Sequence, residues 1–106
     1  MATLSTDVKT SITDEVMDKM GLLEGIERKP FERAVQRSAN WLLDDIVRKP
    51  EYQVTEDSTE ASLIAERARY DMSNSLDIFE RNYNDIIVMV IEKFALDDFI
   101  ENGGVE

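Results

Sequence analysis

TEASLIAERARYDMSNSLDIFERNYNDIIVMVIEKFALDDF, residues Thr59 to Phe99, runs for about forty residues without a glycine or a proline. Ile64, Ala68, Met72, Leu76, Phe79 and Tyr83 recur in it at spacings of four and three. That spacing gathers side chains on one face of an α-helix and scatters them in a strand. A single helix of about 38 of these residues would span roughly 57 Å at 1.5 Å per residue, too long for a small bundle to cover. A kink or break is therefore expected near Arg81–Asn84, where Asn82 followed three residues later by Asp85 resembles a capping signature. One continuous helix is the alternative. On the first reading a helix begins near Thr59, and a second runs from about Tyr83 to Phe99.

Two further helices are expected upstream. One runs from about Thr13 to Met20, with Ser11 or Thr13 as its cap and Gly21 as its terminator, because glycine reaches positive φ without a Cβ clash. Leu22, Leu23 and Ile26 read as a loop that tucks apolar side chains under the next helix. That helix starts at about Pro30, whose missing N–H costs nothing in a first turn, and continues to about Val47. Phe31, Val35, Ala39 or Ser38, Leu42 and Ile46 form its stripe, widened by Ala34, Trp41 and Leu43. Residues 48–58 form the connector, from which Tyr52 and Val54 can pack back; Asp57, Ser58 or Thr59 begins the following helix, with Asp57 and Glu60 able to form a reciprocal cap and Ser58 with Ala61 giving no capping box. The reading divides the chain into a flexible N-terminal segment 1–12, one helical domain 13–99 and an acidic tail 100–106. The fold class is all-α: a small bundle of three to four helices, with one long helix in the C-terminal half.

Composition narrows the chemistry. The 106 residues include no cysteine and no histidine. Disulfides, thiol nucleophiles, imidazole bases and thiolate or imidazole metal sites are thereby removed. The net charge is −11, and it is uneven: residues 1–53 hold 8 basic and 10 acidic side chains, and residues 54–106 hold 4 and 13. So acidic a surface repels a nucleic-acid backbone, and it suits a basic partner surface or simple solubility. No signal peptide is visible in MATLSTDVKTSITDE, and the longest wholly apolar run, Ile86–Ile91, is far short of the ~20 residues of a membrane span. Acid pairs such as Asp14/Asp18, Asp44/Asp45 and Asp97/Asp98 are expected by chance among 23 acidic residues, and nothing marks a pocket around them. The expectation is a protein that is not an enzyme and uses no cofactor or metal.

Interaction residues are the better candidates. Arg67 and Arg69 in ERARY read either as a solvated helix face, with Arg67 near Asp71, or as arginines that cross an interface. Tyr70 lies off the main stripe and marks a second contact face. Trp41, Phe79 and Tyr83 read first as core. In Ile86, Ile87, Val88, Met89, Val90 and Ile91 the apolar residues go all the way round the helix, so burial on all sides is expected, either by neighbouring elements or by another protein.

SLIAERARYDMSNSLDIFERNYNDII, with its ERARY opening and NSLDIFERNY continuation, resembles the C-terminal helical region of the head–tail connector (adaptor, or head completion) proteins of tailed bacteriophages. VMDKMGL, a loop and an aromatic-bearing helix are similar in layout to the N-terminal half of that family. The resemblance implies a bundle of about four helices, assembled as a ring of about twelve or thirteen copies beneath the portal. Its partners would be the portal protein and a tail or stopper protein. The ring would extend the DNA channel in the neck of the virion, at the head–tail interface, after synthesis in the bacterial host cytoplasm. Neither sequence-specific nucleic-acid binding nor a membrane is implied, and no enzyme activity. Arg67, Arg69, Tyr70, Asn74, Leu76, Phe79, Glu80, Tyr83 and Ile86 match the family helix, and Val88 and Val90 join them as interface candidates. The helix from Pro30 lacks the acidic residues usual before it in that family, and LLEGIERK differs from the usual short acidic loop. The alternative reading is a small acidic helical interaction module of the inhibitor or antirepressor type.

Overall fold

A computed structural model describes residues 2–21 and 25–101. The described residues form a small all-α bundle of four helices: α1 (Thr6–Lys19), α2 (Lys29–Asn40), α3 (Thr59–Met72) and α4 (Leu76–Glu101). α2 continues without a break into a π-helical turn, Trp41–Ile46. α3 is the central element and packs on α1, α2 and α4. Its buried face, Ala61, Leu63, Ile64, Ala65 and Ala68, is rich in small side chains, which lets three helices approach it closely. α4 is the longest helix, and α3 is its main neighbour. The molecule is accordingly elongated, 57 × 29 × 21 Å.

The first helix starts earlier than its pattern implied. Ser5, not Ser11 or Thr13, is the cap, and its side chain accepts a 3.2 Å hydrogen bond from the Val8 N–H. Residues 6–12, expected to be flexible, are helical because Leu4, Val8, Ile12 and Val16 bury a four-residue repeat in the core. The segment before them is also held: Ala2 N–H donates to Asn40 Oδ1, and Gln36 Nε2 donates to the Ala2 carbonyl. Gly21 terminates α1 as expected, at φ 63° with its N–H on the Asp18 carbonyl. Leu22 and Leu23 lie outside the described residues, and Ile26 is exposed rather than tucked under α2.

α2 buries the predicted Phe31, Ala34, Val35, Ser38 and Ala39, and its π turn buries Leu42 and Leu43 together. The wider turn rotates the helix phase, so two adjacent residues both face the core. The turn ends where Arg48 takes φ 55°, with the Val47 N–H on the Leu42 carbonyl. The connector folds back as expected: Val54 is buried, and Tyr52 meets Phe94 edge to face at 4.7 Å. Of the three candidate starts, Ser58 caps α3, accepting from the Ala61 N–H at 3.0 Å. Glu60 is thereby free to turn inward.

The break in the long half lies at Ser73–Ser75, not at Arg81–Asn84. Asn74 adopts φ 56°, its N–H reaches the Asp71 carbonyl, and the Ser75 N–H reaches the Tyr70 carbonyl. Those two bonds close α3 in a Schellman arrangement, with asparagine in the left-handed position usually given to glycine. The chain reverses there, and α4 runs back antiparallel along α3. Asn82, the expected cap, sits inside α4 and donates to the Tyr70 hydroxyl at 3.4 Å. α4 continues through Ile100 and Glu101, the first two residues of the expected acidic tail, and residues 102–106 lie outside the described residues.

Candidate interaction surface

Two sets of residues emerge from the α3–α4 hairpin. The first set is internal. Phe79 is fully buried, stacked on Tyr83 at 5.0 Å and edge-on to Trp41 at 5.6 Å, with Tyr70 at 5.7 Å. Burying such a side chain contributes about 1.5–3 kcal/mol. Arg67 lies over the Trp41 ring at 5.0 Å and donates to Ser38 Oγ at 3.2 Å, so it joins α3 to α2; its burial lowers the guanidinium pKa. Asp71 pairs with Arg37 at 2.8 Å instead of with Arg67.

Beside this ring cluster lies a polar seam. Glu66 accepts from the Tyr83 hydroxyl at 2.6 Å, from Arg69 at 2.8 Å and from Lys19 at 3.0 Å. Burial pushes its carboxyl up, but these three donors outweigh that and bring it down to about 2. Burial, and then the Glu66 hydrogen bond, push Tyr83 up to about 12. Arg69 also covers the Tyr70 ring at 4.9 Å. Near the other end of the hairpin, Glu60 is buried and accepts from Tyr52 at 2.8 Å and Lys93 at 3.1 Å. Burial would raise its carboxyl, and the two hydrogen bonds hold it lower. Arg67, Arg69, Tyr70, Phe79 and Tyr83 are thus brought together inside the subunit, and Asn74 makes the turn between the helices.

The second set faces solvent. At 3.6 residues per turn, Phe79, Tyr83, Ile87, Val90 and Phe94 share the face of α4 that meets the bundle. Val90 is 1% exposed, but its neighbours are not: Ile86 and Ile91 stand on the shoulders, and Val88 and Met89 point outward at 42% and 54%. The expectation of burial on all sides for Ile86–Ile91 fails within the subunit, because α4 has one main helix neighbour. Leu96, Phe99 and Ile100 continue the outward face at 58%, 51% and 63% exposure, and Ile78 opens it. These residues escaped the sequence reading. A count from Met89 to Leu96 at a step of seven, and from Leu96 to Phe99 and Ile100 at steps of three and four, finds them.

A hollow of about 580 Å³ lies between Arg48–Tyr52 and the last turns of α4, where Lys49 and Asp98 pair at 2.6 Å. Among the described residues, no group of three or more acidic side chains is placed to hold a metal ion. No described helix is long and apolar enough to cross a membrane. Compared with protein-family models, curated proteins and solved structures, the chain matches none.

Proposed function

We propose that this chain is a structural assembly subunit of the head–tail connector kind, a non-enzymatic component that joins a ring beneath a phage portal and offers a docking surface to tail or stopper protein. The observation that supports the reading is the second apolar face of α4. A helix that buries one face in its own bundle and keeps Val88, Met89, Leu96, Phe99 and Ile100 in water is arranged for a neighbour. The resemblance of SLIAERARYDMSNSLDIFERNYNDII to connector helices supplies the identity of the assembly. The test is electron microscopy of portal particles mixed with the protein. A twelvefold or thirteenfold collar is the expected outcome, and bare, intact portals at saturating protein would refute the role.

The acidic interaction module is the second reading, favoured by the charge of α4, which holds seven acidic and two basic residues. It requires a tight small complex with a basic protein and no portal. Analytical ultracentrifugation of the complex separates the two readings by mass.

A further inference from the structure

We propose that the outward face of α4 is the seat of an amphipathic helical segment from a different protein, one with basic side chains spaced about two turns apart. The inference rests on α4 being an assembly surface, and it names the chemistry of the partner.

The face has the size of a docking site. Ile78, Val88, Met89, Leu96, Phe99 and Ile100 leave on the order of 600 Å² in water, the upper end of the ~300–600 Å² patches that monomers carry. The spread of these residues along α4 matches the length of a helix laid against it.

Three charges lie within that face: Arg81, one turn before Asp85, and the carboxylates of Asp85 and Glu92. Asp85 and Glu92 are seven residues apart, about 10.5 Å along the helix, and both fall on its midline between the apolar rows. Both are exposed, and neither takes part in an ion pair or a side-chain hydrogen bond among the described residues. Of the two cations of α4, Lys93 is already held by Glu60, and Arg81 stands one turn from Asp85 but three turns from Glu92, which has no cation of α4 left to it. An apolar helix pressed onto this stripe would strip water from two unpaired carboxylates, which is costly unless cations arrive with it. A partner helix with Lys or Arg at positions i and i+7 beside its apolar anchors supplies them.

A second copy of the chain does not. Antiparallel pairing about the middle of the stripe sets Asp85 against Glu92 of the second copy, twice. Parallel pairing in register sets each carboxylate against itself. The antiparallel register that brings Arg81 to Glu92 of the second copy carries Phe99 and Ile100 past Leu76, where α4 begins. A head-to-tail contact centred on this face needs a second apolar patch on the neighbouring copy, and outside α4 the only other large apolar side chain exposed among the described residues is Ile26, so copies in a ring would meet through other, polar surfaces and leave this face to a different protein.

The test uses the full chain and two synthetic helical peptides with the same leucine pattern, bearing either lysine or glutamate at two positions seven apart. Amide shifts are followed by NMR. The lysine peptide is expected to bind about tenfold more tightly than the glutamate peptide, with shift changes confined to the outward side of α4. Asp85→Lys with Glu92→Lys should reverse that order. Glu27→Lys with Glu56→Lys, an equal charge change at exposed sites elsewhere, should preserve it. Met89→Ser with Leu96→Ser should abolish binding of both peptides while far-UV circular dichroism keeps its helical signal. A lysine preference that survives the Asp85/Glu92 swap overturns the proposal, since it would report only general attraction to an acidic chain. A dimer in sedimentation that Met89→Ser with Leu96→Ser dissolves also overturns it and assigns the face to a second copy. Failure of the peptide swap alongside intact collars on the portal removes this inference alone. Absent collars with a swap-dependent peptide remove the connector reading alone.

Discussion

The Tyr83 hydroxyl donates a 2.6 Å hydrogen bond to the Glu66 carboxylate across the α3–α4 seam. Glu66 is the point where three helices meet, because Lys19 of α1 and Arg69 of α3 donate to it as well. The bond sits beside the Phe79–Tyr83 stack, so polar and apolar contacts hold α4 in the same register.

Removing the hydroxyl by Tyr83→Phe should cost about 1 kcal/mol, the usual net value of one hydrogen bond, measured by urea unfolding. The carboxylate also makes stability depend on pH. Its folded pKa, about 2, lies below the ordinary value of 4.5, so its contribution is fully present above the unfolded value and is lost as pH falls through 4.5 towards 2. Glu66→Gln should flatten that part of the acid limb in a pH series of unfolding midpoints. An unchanged acid limb would show that the seam is not ionised as described.

Val88 and Val90 are two residues apart and should respond in opposite ways. Val90→Asp places a carboxylate in the core and is expected to destabilise by more than about 3 kcal/mol. Val88→Asp should change unfolding stability by less than about 0.5 kcal/mol while weakening docking onto α4. Thermal melts of both variants, run beside the collar assay, check this. Equal destabilisation by the two would mean that the outward face is packed after all.

Asn74 turns the chain in the left-handed region. Asn74→Gly should be neutral within a few tenths of a kcal/mol, whereas Asn74→Val should cost about 1–2 kcal/mol, because a β-branched side chain collides with the backbone at positive φ. Chemical denaturation of both variants tests the turn, and a tolerated valine would place the break elsewhere.

The Lys93–Glu60 pair fastens the middle of α4 to the start of α3. Lys93→Met leaves the buried carboxylate with Tyr52 as its remaining side-chain donor and should cost about 1–2 kcal/mol; the loss is moderated because the lysine side chain is half exposed. Adding Glu60→Gln should return part of it. A double-mutant cycle should give a coupling energy of about 1 kcal/mol, and a value indistinguishable from zero would remove the pair from the account of stability.

The all-α class and the content of most faces were legible before any coordinates. Ile64, Ala68 and Phe79, with Phe31, Val35, Ala39 and Leu42 of the upstream stripe, are buried because helical spacing is a local property of the chain. Local rules also misled. Asn82–Asp85 has the form of a cap, yet Asn82 lies inside α4, while Ser73–Asn74–Ser75 holds the actual turn. A capping pattern states that a helix end is allowed at a position, and tertiary packing selects which allowed end is used. The N-terminal error has the same source: Ser5 and Ser11 are both competent caps, and burial of Leu4 and Val8 decides for Ser5.

By itself, then, the sequence determined that Thr59–Phe99 is built of helix around one break and that its second half is apolar on more than one side, since periodicity and residue type depend on neighbours along the chain. The tertiary structure decided where that stretch folds back and which side of α4 is covered. The turn at Asn74 lays α4 antiparallel on α3, and among the described residues no other helix covers Met89, Leu96 and Ile100. Coverage depends on how many elements a domain of this size can bring to one helix. α4 finds its main support in a single neighbour, so Val90 became core and Val88 remained in water.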